Sequence, residues 1–490
     1  MKTAFISVSS KEGLVDVANV LINLDIRLIA SKGTAAFLSD NKIEVLSIED
    51  YLNISPILDG RVKTLHPALF SGILADRKNV KHMQELQQIN VEPIDFVIVD
   101  LYAFSRYQDI EHIDIGGVAL IRAAAKNYEY CTVVSDAKDY PVLIEALSSL
   151  GVETNLAFRK KMAARAFSKI AQYDGEISQW CDGEYIKSFQ LQKTIDLSYG
   201  ENPHQVAQFY NFRDKCPNIN LLQGKPLSYN NLLDLDAGIH LISEFDTPAS
   251  TIIKHTNPCG VALGLSAKQA VEFAFHADEK SAFGGIVVLN QIVDKETAVF
   301  LNSHFFEVIA AIDYTVEARE VLAKKSKCRV LTFIKHQPAI EVRSALNGFL
   351  IQTPDSSLLE IETAVVPTLK KPEPALYSDL CFAFQVVRHM KSNAIVIVKN
   401  GVTLSMGMGQ TNRVDAVNHA LLRAKDYDLQ NAILASDGFF PFEDSIELIA
   451  HSSIKTIIQP GGSRRDQMVI EACDKYEISM MMTNIRGFKH

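Results

Sequence analysis

The sequence has no long hydrophobic run. Nothing in it approaches the ~18 to 20 consecutive apolar residues that a membrane-spanning helix needs, and Met1-Lys2-Thr3-Ala4-Phe5-Ile6-Ser7-Val8 turns polar before a signal-peptide core develops. A soluble cytoplasmic protein with no membrane partner is expected. Cysteines are few and scattered: seven, at 131, 181, 216, 259, 328, 381 and 473, with no CxxC pair. That excludes zinc-ribbon and dithiol spacings and suits a reducing compartment. Basic charge is not in excess either, since 49 Lys and Arg face 58 Asp and Glu for a net charge of -9. Nucleic acid is therefore not an expected partner, and small anions would need local basic pockets. No low-complexity tract interrupts the chain. What remains is ordinary globular composition, 47% hydrophobic and 22% charged over 490 residues, enough for roughly two to four domains.

The N-terminal part alternates strands and helices. Thr3 to Val8 reads as a strand, Ser9-Ser10-Lys11-Glu12-Gly13 as a polar turn, and Leu14, Val17, Ala18 and Leu21 recur at helical spacing. The unit repeats with a strand at 27–30, the turn Ser31-Lys32-Gly33-Thr34, a helix from Ala35, and a third strand at 44–48. Further buried-strand patterns fall at 95–101 and 131–135. A helix at about 153–180, with Leu156, Met162, Ala163, Phe167, Ile170 and Ala171 on one stripe, closes a first domain, placed at 1–196. Such alternation predicts a parallel sheet covered by helices. The remainder, 197–490, is again α/β, with strands near 251–254, 286–289, 394–398, 432–435 and 455–459. Lys370-Lys371-Pro372-Glu373-Pro374 divides it near 370 into two subdomains of similar length, without a sequence repeat that proves duplication.

Both N-terminal turns fall between a strand's C-terminal end and a helix's N-terminal end, where backbone N–H groups attract phosphate; ordinary helix caps read the same way. Gly60-Arg61-Val62-Lys63-Thr64-Leu65-His66-Pro67 reads as an anion clamp or as a basic surface loop. Lys126 ends an apolar helix, where a cation complements the dipole. His255 follows the strand Thr251-Ile252-Ile253 beside Lys254, a position that suits a general base as well as a structural histidine. Cys259 invites a thiol nucleophile. Phe439, Phe440 and Phe442 read as core.

The motifs GRVKTLHP, IDIGG, RAAAKN, YGENPHQ, KHTNPCG, KSNAI, SDGFFPF and IIQPGGS occur in this order across the chain. Together they resemble the AICAR transformylase/IMP cyclohydrolase family over essentially the whole length. The resemblance implies a methylglyoxal-synthase-like N-terminal domain and two cytidine-deaminase-like α/β subdomains without zinc. It implies two reactions of purine synthesis: formyl transfer from 10-formyltetrahydrofolate, a co-substrate, to the AICAR amine, then ring closure to IMP with loss of water. For ring closure, Lys126 and Tyr102 take the formyl oxygen and the proton transfers, Asp114 orients the carboxamide, and Lys63 stabilises charge. Ser9, Lys11, Ser31, Gly33, Thr34, Arg61 and Thr64 cradle phosphate and ribose. In the transformylase His255 is the base, Lys254 holds the formyl donor, and Asn393 bonds the substrate or the tetrahedral intermediate. Tyr199, Asn202, His204, Phe283, Gly284, Glu307, Gln410, Asp437, Pro460, Arg486 and Phe488 complete the match. Direct transfer needs no covalent step at Cys259 and no metal, and the family is homodimeric.

The chain departs from the family at Ser198, where Arg is usual, at Ser10 and Lys32 in the two turns, and at Asp100 and Ala103 around Tyr102. Serine supplies no charge and no bidentate fork, so weaker AICAR binding is expected. Two other readings stand beside the bifunctional enzyme. One is a cyclohydrolase with a weakened transformylase half. The other is a nucleotide-sensing scaffold, against which stand an acid and a tyrosine beside two lysines.

Overall fold

A computed structural model describes residues 1–490 except 54, 56, 59–61, 184–186, 188, 213–217, 336–339, 358, 360 and 362. Arg61 and Cys216 lie outside the described residues. The chain forms two compact units, Met1–Leu191 and Gln192–His490.

In unit 1 five strands, β1 (Lys2–Ser7), β2 (Ile26–Ala30), β3 (Leu46–Ser47), β4 (Phe96–Val99) and β5 (Thr132–Val134), pair in the order β3-β2-β1-β4-β5. Every pairing is parallel. Ala4, Phe5 and Ile6 are buried in succession, as are all residues of β4, so both faces of the sheet are covered by helices. The third strand is only two residues long, because Ser47 caps a helix that starts at Ile48. The chain leaves β1 toward β2 on one side and returns to β4 on the other. That reversal opens a crevice at the strands' C-terminal ends, where open α/β sheets bind ligands. The helix Leu156–Cys181 buries Met162, Ala163, Ala166, Ile170 and Tyr173. Leu156, Phe167 and Ala171, expected on that stripe, are exposed instead. Phe167 serves another purpose, lying under the Arg122 guanidinium at 5.9 Å.

Unit 2 begins with a ribbon of β6 (Leu191–Asp196) and β7 (Gln208–Phe212). Its main sheet has eleven strands. They are β8 (Ile219–Gln223), β9 (Ala249–Lys254), β10 (Asn257–Leu263), β11 (Ile286–Val293), β12 (Val308–Tyr314) and β13 (Arg329–Phe333), then β16 (Ile395–Lys399), β17 (Val402–Gly407), β18 (Ile433–Ser436), β19 (Thr456–Gln459) and β20 (Ser479–Met482). A second ribbon, β14 (Glu341–Ala345) with β15 (Gly348–Gln352), stands between the two sets.

The sheet order β20-β19-β18-β16-β17-β10-β9-β11-β12-β13-β8 contains one pattern twice. In each copy a hairpin (β9–β10, β16–β17) places its first strand antiparallel to a third (β11, β18), which two further strands join in parallel. A helix precedes each hairpin, Tyr229–Ile242 in the first copy and Tyr377–Val387 in the second. The two copies are joined edge to edge through β10 and β17. One core layer runs under both copies and takes side chains from both preceding helices, while each copy has a separate core on its opposite face.

Candidate active sites

The first site forms at the crevice of unit 1. Polar residues follow apolar strands here, so β1 ends in the Ser9 turn and β4 ends at Asp100 and Tyr102. Asp100 faces the Ser9 turn. Its carboxylate accepts the backbone N–H of Ser9 and of Ser10, at 2.5 and 2.8 Å, and the Ser9 hydroxyl at 3.0 Å. The N–H groups expected to await a phosphate are thus held by an internal anion. The Lys11 ammonium donates to the Val8 carbonyl and to Thr34 Oγ1 at 3.0 Å. Burial lowers its pKa from the usual lysine value, and Asp100 acts in the opposite sense. Ser31 caps the helix Lys32–Asp40 by position, and its hydroxyl donates to Thr34 Oγ1 at 3.3 Å. A Cβ on Gly33 would meet nothing within 4 Å, so the second turn is open to an incoming group.

Lys63, Tyr102 and Asp114 come together. The Lys63 ammonium donates to the Tyr102 hydroxyl at 3.4 Å. Asp114 accepts the Gly117 N–H at 2.7 Å, while its own N–H donates to the Tyr173 hydroxyl at 2.7 Å. Burial raises the pKa of the Asp114 carboxyl; the N–H groups of Gly117 and Tyr102 and the charge of Lys63 oppose that rise. A Cβ on Gly117 would stand 2.5 Å from Asp114 Oδ2, and one on Gly116 would stand 2.5 Å from Thr64 Oγ1. The two glycines therefore let helix Gly116–Lys126 start against both side chains. Lys126 is the exposed last residue of that helix. At ~1.5 Å rise per residue its backbone lies about 15 Å from the Asp114 end, so the structure does not group it with the other three.

In unit 2 the β9–β10 hairpin turns through His255 and Thr256, with Lys254 paired to Asn257. Both turn residues have positive φ, 55° and 62°. Lys254 reaches the Phe283 carbonyl at 2.9 Å. Lys254, His255, Asn257 and Cys259 line a cleft of about 610 Å³ that Thr403 to Met406 of β17 also line. Burial, with Asp278 nearby, pushes the Cys259 thiol up to about 12, which leaves it protonated and a poor nucleophile.

A buried polar network adjoins this turn. Asn257 Oδ1 accepts the Lys391 N–H at 2.9 Å. Two residues on, Asn393 donates from Nδ2 to the Gln410 carbonyl at 2.9 Å and accepts at Oδ1 from Arg413 at 2.8 Å. Arg413, 5% exposed, also pairs with Asp437, 1% exposed, and donates to the Ala394 carbonyl at 2.9 Å. Asp437 in turn accepts the Ser392 hydroxyl and the Ala394 N–H.

A family model described as the AICARFT/IMPCHase bienzyme matches residues 124–423, and one described as an MGS-like domain matches 13–129. The chain belongs to the AICARFT/IMPCHase bienzyme family. Among relatives of the bienzyme, the bifunctional purine biosynthesis protein PurH of Caldicellulosiruptor saccharolyticus is 43% identical, with 100% of both chains covered. The protein of the same name from Anoxybacillus flavithermus is 42% identical, again over 100% of both. Among solved structures, the crystal structure of ForH is 28% identical and covers 38% of this chain and 100% of its own, with a TM-score of 0.35.

The other residues matched to the bienzyme are spread over unit 2. Asn202 donates to Gln205 within its own turn, and Tyr199 and Ser198 are exposed. Gly284, at φ 74°, donates to the Phe305 carbonyl at 2.8 Å. Glu307 accepts from Asn231 at 3.2 Å. Gln410 lies 3.3 Å from His419, the buried Pro460 accepts the Asn484 N–H, and Arg486 stacks over the Phe488 ring at 4.6 Å. Of the three phenylalanines expected in the core, only Phe440 is buried; Phe439 is exposed, and Phe442 is exposed under Arg465. The sequence did not single out Arg413, nor Asp234, whose carboxylate accepts the N–H groups of His255 and Thr256. Arg413 is a lone arginine in a polar stretch, and Asp234 is one of two acids on a helix that also carries Asn230, Asn231 and His240; neither pattern is distinctive.

Proposed function

We propose that unit 2 transfers the formyl group of 10-formyltetrahydrofolate to the AICAR amine, and that unit 1 closes the resulting formyl-AICAR to IMP with loss of water. The observation that carries this reading is the gathering of Lys63, Tyr102 and Asp114 at the sheet's crevice, together with His255 and Lys254 at a strand end over a separate cleft. In ring closure the carboxamide nitrogen attacks the formyl carbon. Asp114 orients the carboxamide, Lys63 stabilises the developing oxyanion, and Tyr102 moves the proton that leaves with water. Lys126 enters through the family resemblance alone. In formyl transfer His255 removes the amine proton as nitrogen bonds to the formyl carbon, Lys254 polarises the donor, and Asn393 holds the tetrahedral intermediate, which collapses as the bond from the formyl carbon to N10 breaks and N10 of the departing tetrahydrofolate takes up a proton. The second hydrogen of Asn393 Nδ2 serves the holding role, since its oxygen is committed to Arg413. Ser9, Lys11, Ser31, Gly33, Thr34, Arg61 and Thr64 are assigned to phosphate and ribose. The reading carries with it a cytoplasmic homodimer that uses a folate co-substrate and no metal.

The test is a two-part assay on the purified chain. Tetrahydrofolate release from AICAR plus 10-formyltetrahydrofolate is followed across an AICAR titration, and IMP formation is followed from supplied formyl-AICAR. Both reactions are expected, with AICAR binding weakened by Ser198. IMP formation without tetrahydrofolate release at saturating AICAR would overturn the transformylase half.

A further inference from the structure

The two hairpins of the duplicated sheet are held in the same way. Asp234, in the helix before β9, accepts the N–H of His255 at 3.3 Å and of Thr256 at 2.6 Å. Asp379, in the helix before β16, accepts the N–H of Asn400 and of Gly401, each at 2.7 Å. Both turns have two central residues in the left-handed region, His255 and Thr256 at 55° and 62°, Asn400 and Gly401 at 55° and 69°.

The residues filling the two turns differ in a way that matters. Asn-Gly is the favoured pair for a two-residue hairpin turn, because asparagine tolerates positive φ and glycine has no Cβ to clash. His-Thr is a poor choice, and a β-branched threonine at positive φ is an outlier. The second copy would form its turn unaided, whereas the first needs the carboxylate. Strained backbone held by its surroundings gathers at functional sites, and this strain falls on the imidazole that lines the cleft.

We propose that Asp234 is a positioning residue for formyl transfer: its carboxylate holds the His255–Thr256 backbone in the left-handed turn and so aims His255 at the amine. The inference rests on His255 being the base. Burial raises the pKa of the Asp234 carboxyl, with both N–H bonds and His255 opposing the rise, so the two bonds act on a group that would otherwise be poorly accommodated. Asn257 adds a second hold, donating to the His255 carbonyl at 3.1 Å.

The experiment compares full-length variants by steady-state formyl transfer, with IMP formation from formyl-AICAR as the control for an intact chain. Asp234→Ala is expected to lower kcat roughly 100-fold, the scale of a misplaced catalytic group. The KM of each substrate should stay within about threefold and IMP formation should be unchanged. Adding Thr256→Gly to that variant should restore about tenfold, since glycine takes the turn without help. Asp379→Ala should leave kcat within about threefold, because Asn-Gly needs no clamp. If circular dichroism shows unit 2 unfolded in Asp234→Ala, Asp234→Asn, which keeps one acceptor oxygen, replaces it, with roughly tenfold loss and the same rescue. Full kcat in the Asp234 variant, with activity lost in His255→Ala, would overturn the inference and leave the base assignment standing. A loss that Thr256→Gly does not repair, or an equal loss in Asp379→Ala, would reduce Asp234 to a fold brace and overturn it too. Full activity in His255→Ala would overturn both.

Discussion

A thiol held up to about 12 by burial is not a nucleophile at neutral pH, so Cys259 sits in the cleft as a packing residue. Cys259→Ser is expected to keep kcat for formyl transfer within about threefold, and iodoacetamide at pH 8 should leave the activity intact. Asp100 is the opposite case, a charged residue whose cost is paid by the ligand. Because it holds the N–H groups of Ser9 and Ser10, an incoming phosphate must displace a like charge or do without that turn. Asp100→Asn, which removes the charge and keeps an acceptor, should lower the KM for formyl-AICAR on the order of tenfold with kcat little changed. Isothermal titration with IMP would read the same gain as tighter binding. The sequence marked Asp100 as unusual but not the direction it faces, because a strand-end side chain can turn to either lip of the crevice.

Helix starts decide the geometry of the first site. Gly117 lets the Asp114 carboxylate lie over the first turn of its helix, and a methyl group there would press to 2.5 Å from Asp114 Oδ2. Gly117→Ala should therefore cut IMP formation by roughly 100-fold while formyl transfer is untouched. The same burial makes Asp114 a stability cost at neutral pH. Its folded pKa is raised, so the folded state binds more protons than the unfolded chain above the ordinary carboxylate value of about 4. Its favourable contribution is complete below that value and is lost as pH rises through the folded pKa. Asp114→Asn should accordingly melt at a higher temperature than the parent at pH 7, with the gap closing toward pH 4. Elements of this kind were legible where apolar runs meet polar turns, as at Ser9 and His255. They were not legible where a strand is short or interrupted by polar residues, as in β17 with Thr403 and Ser405, nor where register alone decides which side of a helix is buried, as with Phe167.

At the scale of the whole molecule, unit 1 has its own core, whose buried members among the described residues all belong to that unit. A chain of residues 1–191 is expected to fold and to close formyl-AICAR to IMP within about threefold of the full-length rate; circular dichroism and the IMP assay check both points. Unit 2 cannot be cut in the same way, because one core layer runs under both of its copies. The sequence suggested two subdomains but showed no repeat, because what the copies share is strand order and an acid that accepts two N–H bonds from a turn, whereas their turn residues, His-Thr and Asn-Gly, have nothing in common.

The segment between the copies contains Val365, which exchanges two backbone hydrogen bonds with Met482, at 2.9 and 2.7 Å, and Thr368, whose hydroxyl oxygen accepts the Met480 N–H. It thus lies along β20, the last strand of the sheet. An unpaired strand edge is a template on which further chains add, strand by strand. Where Val365 and Thr368 pair with β20, the segment occupies backbone groups that would otherwise be free to template an added strand.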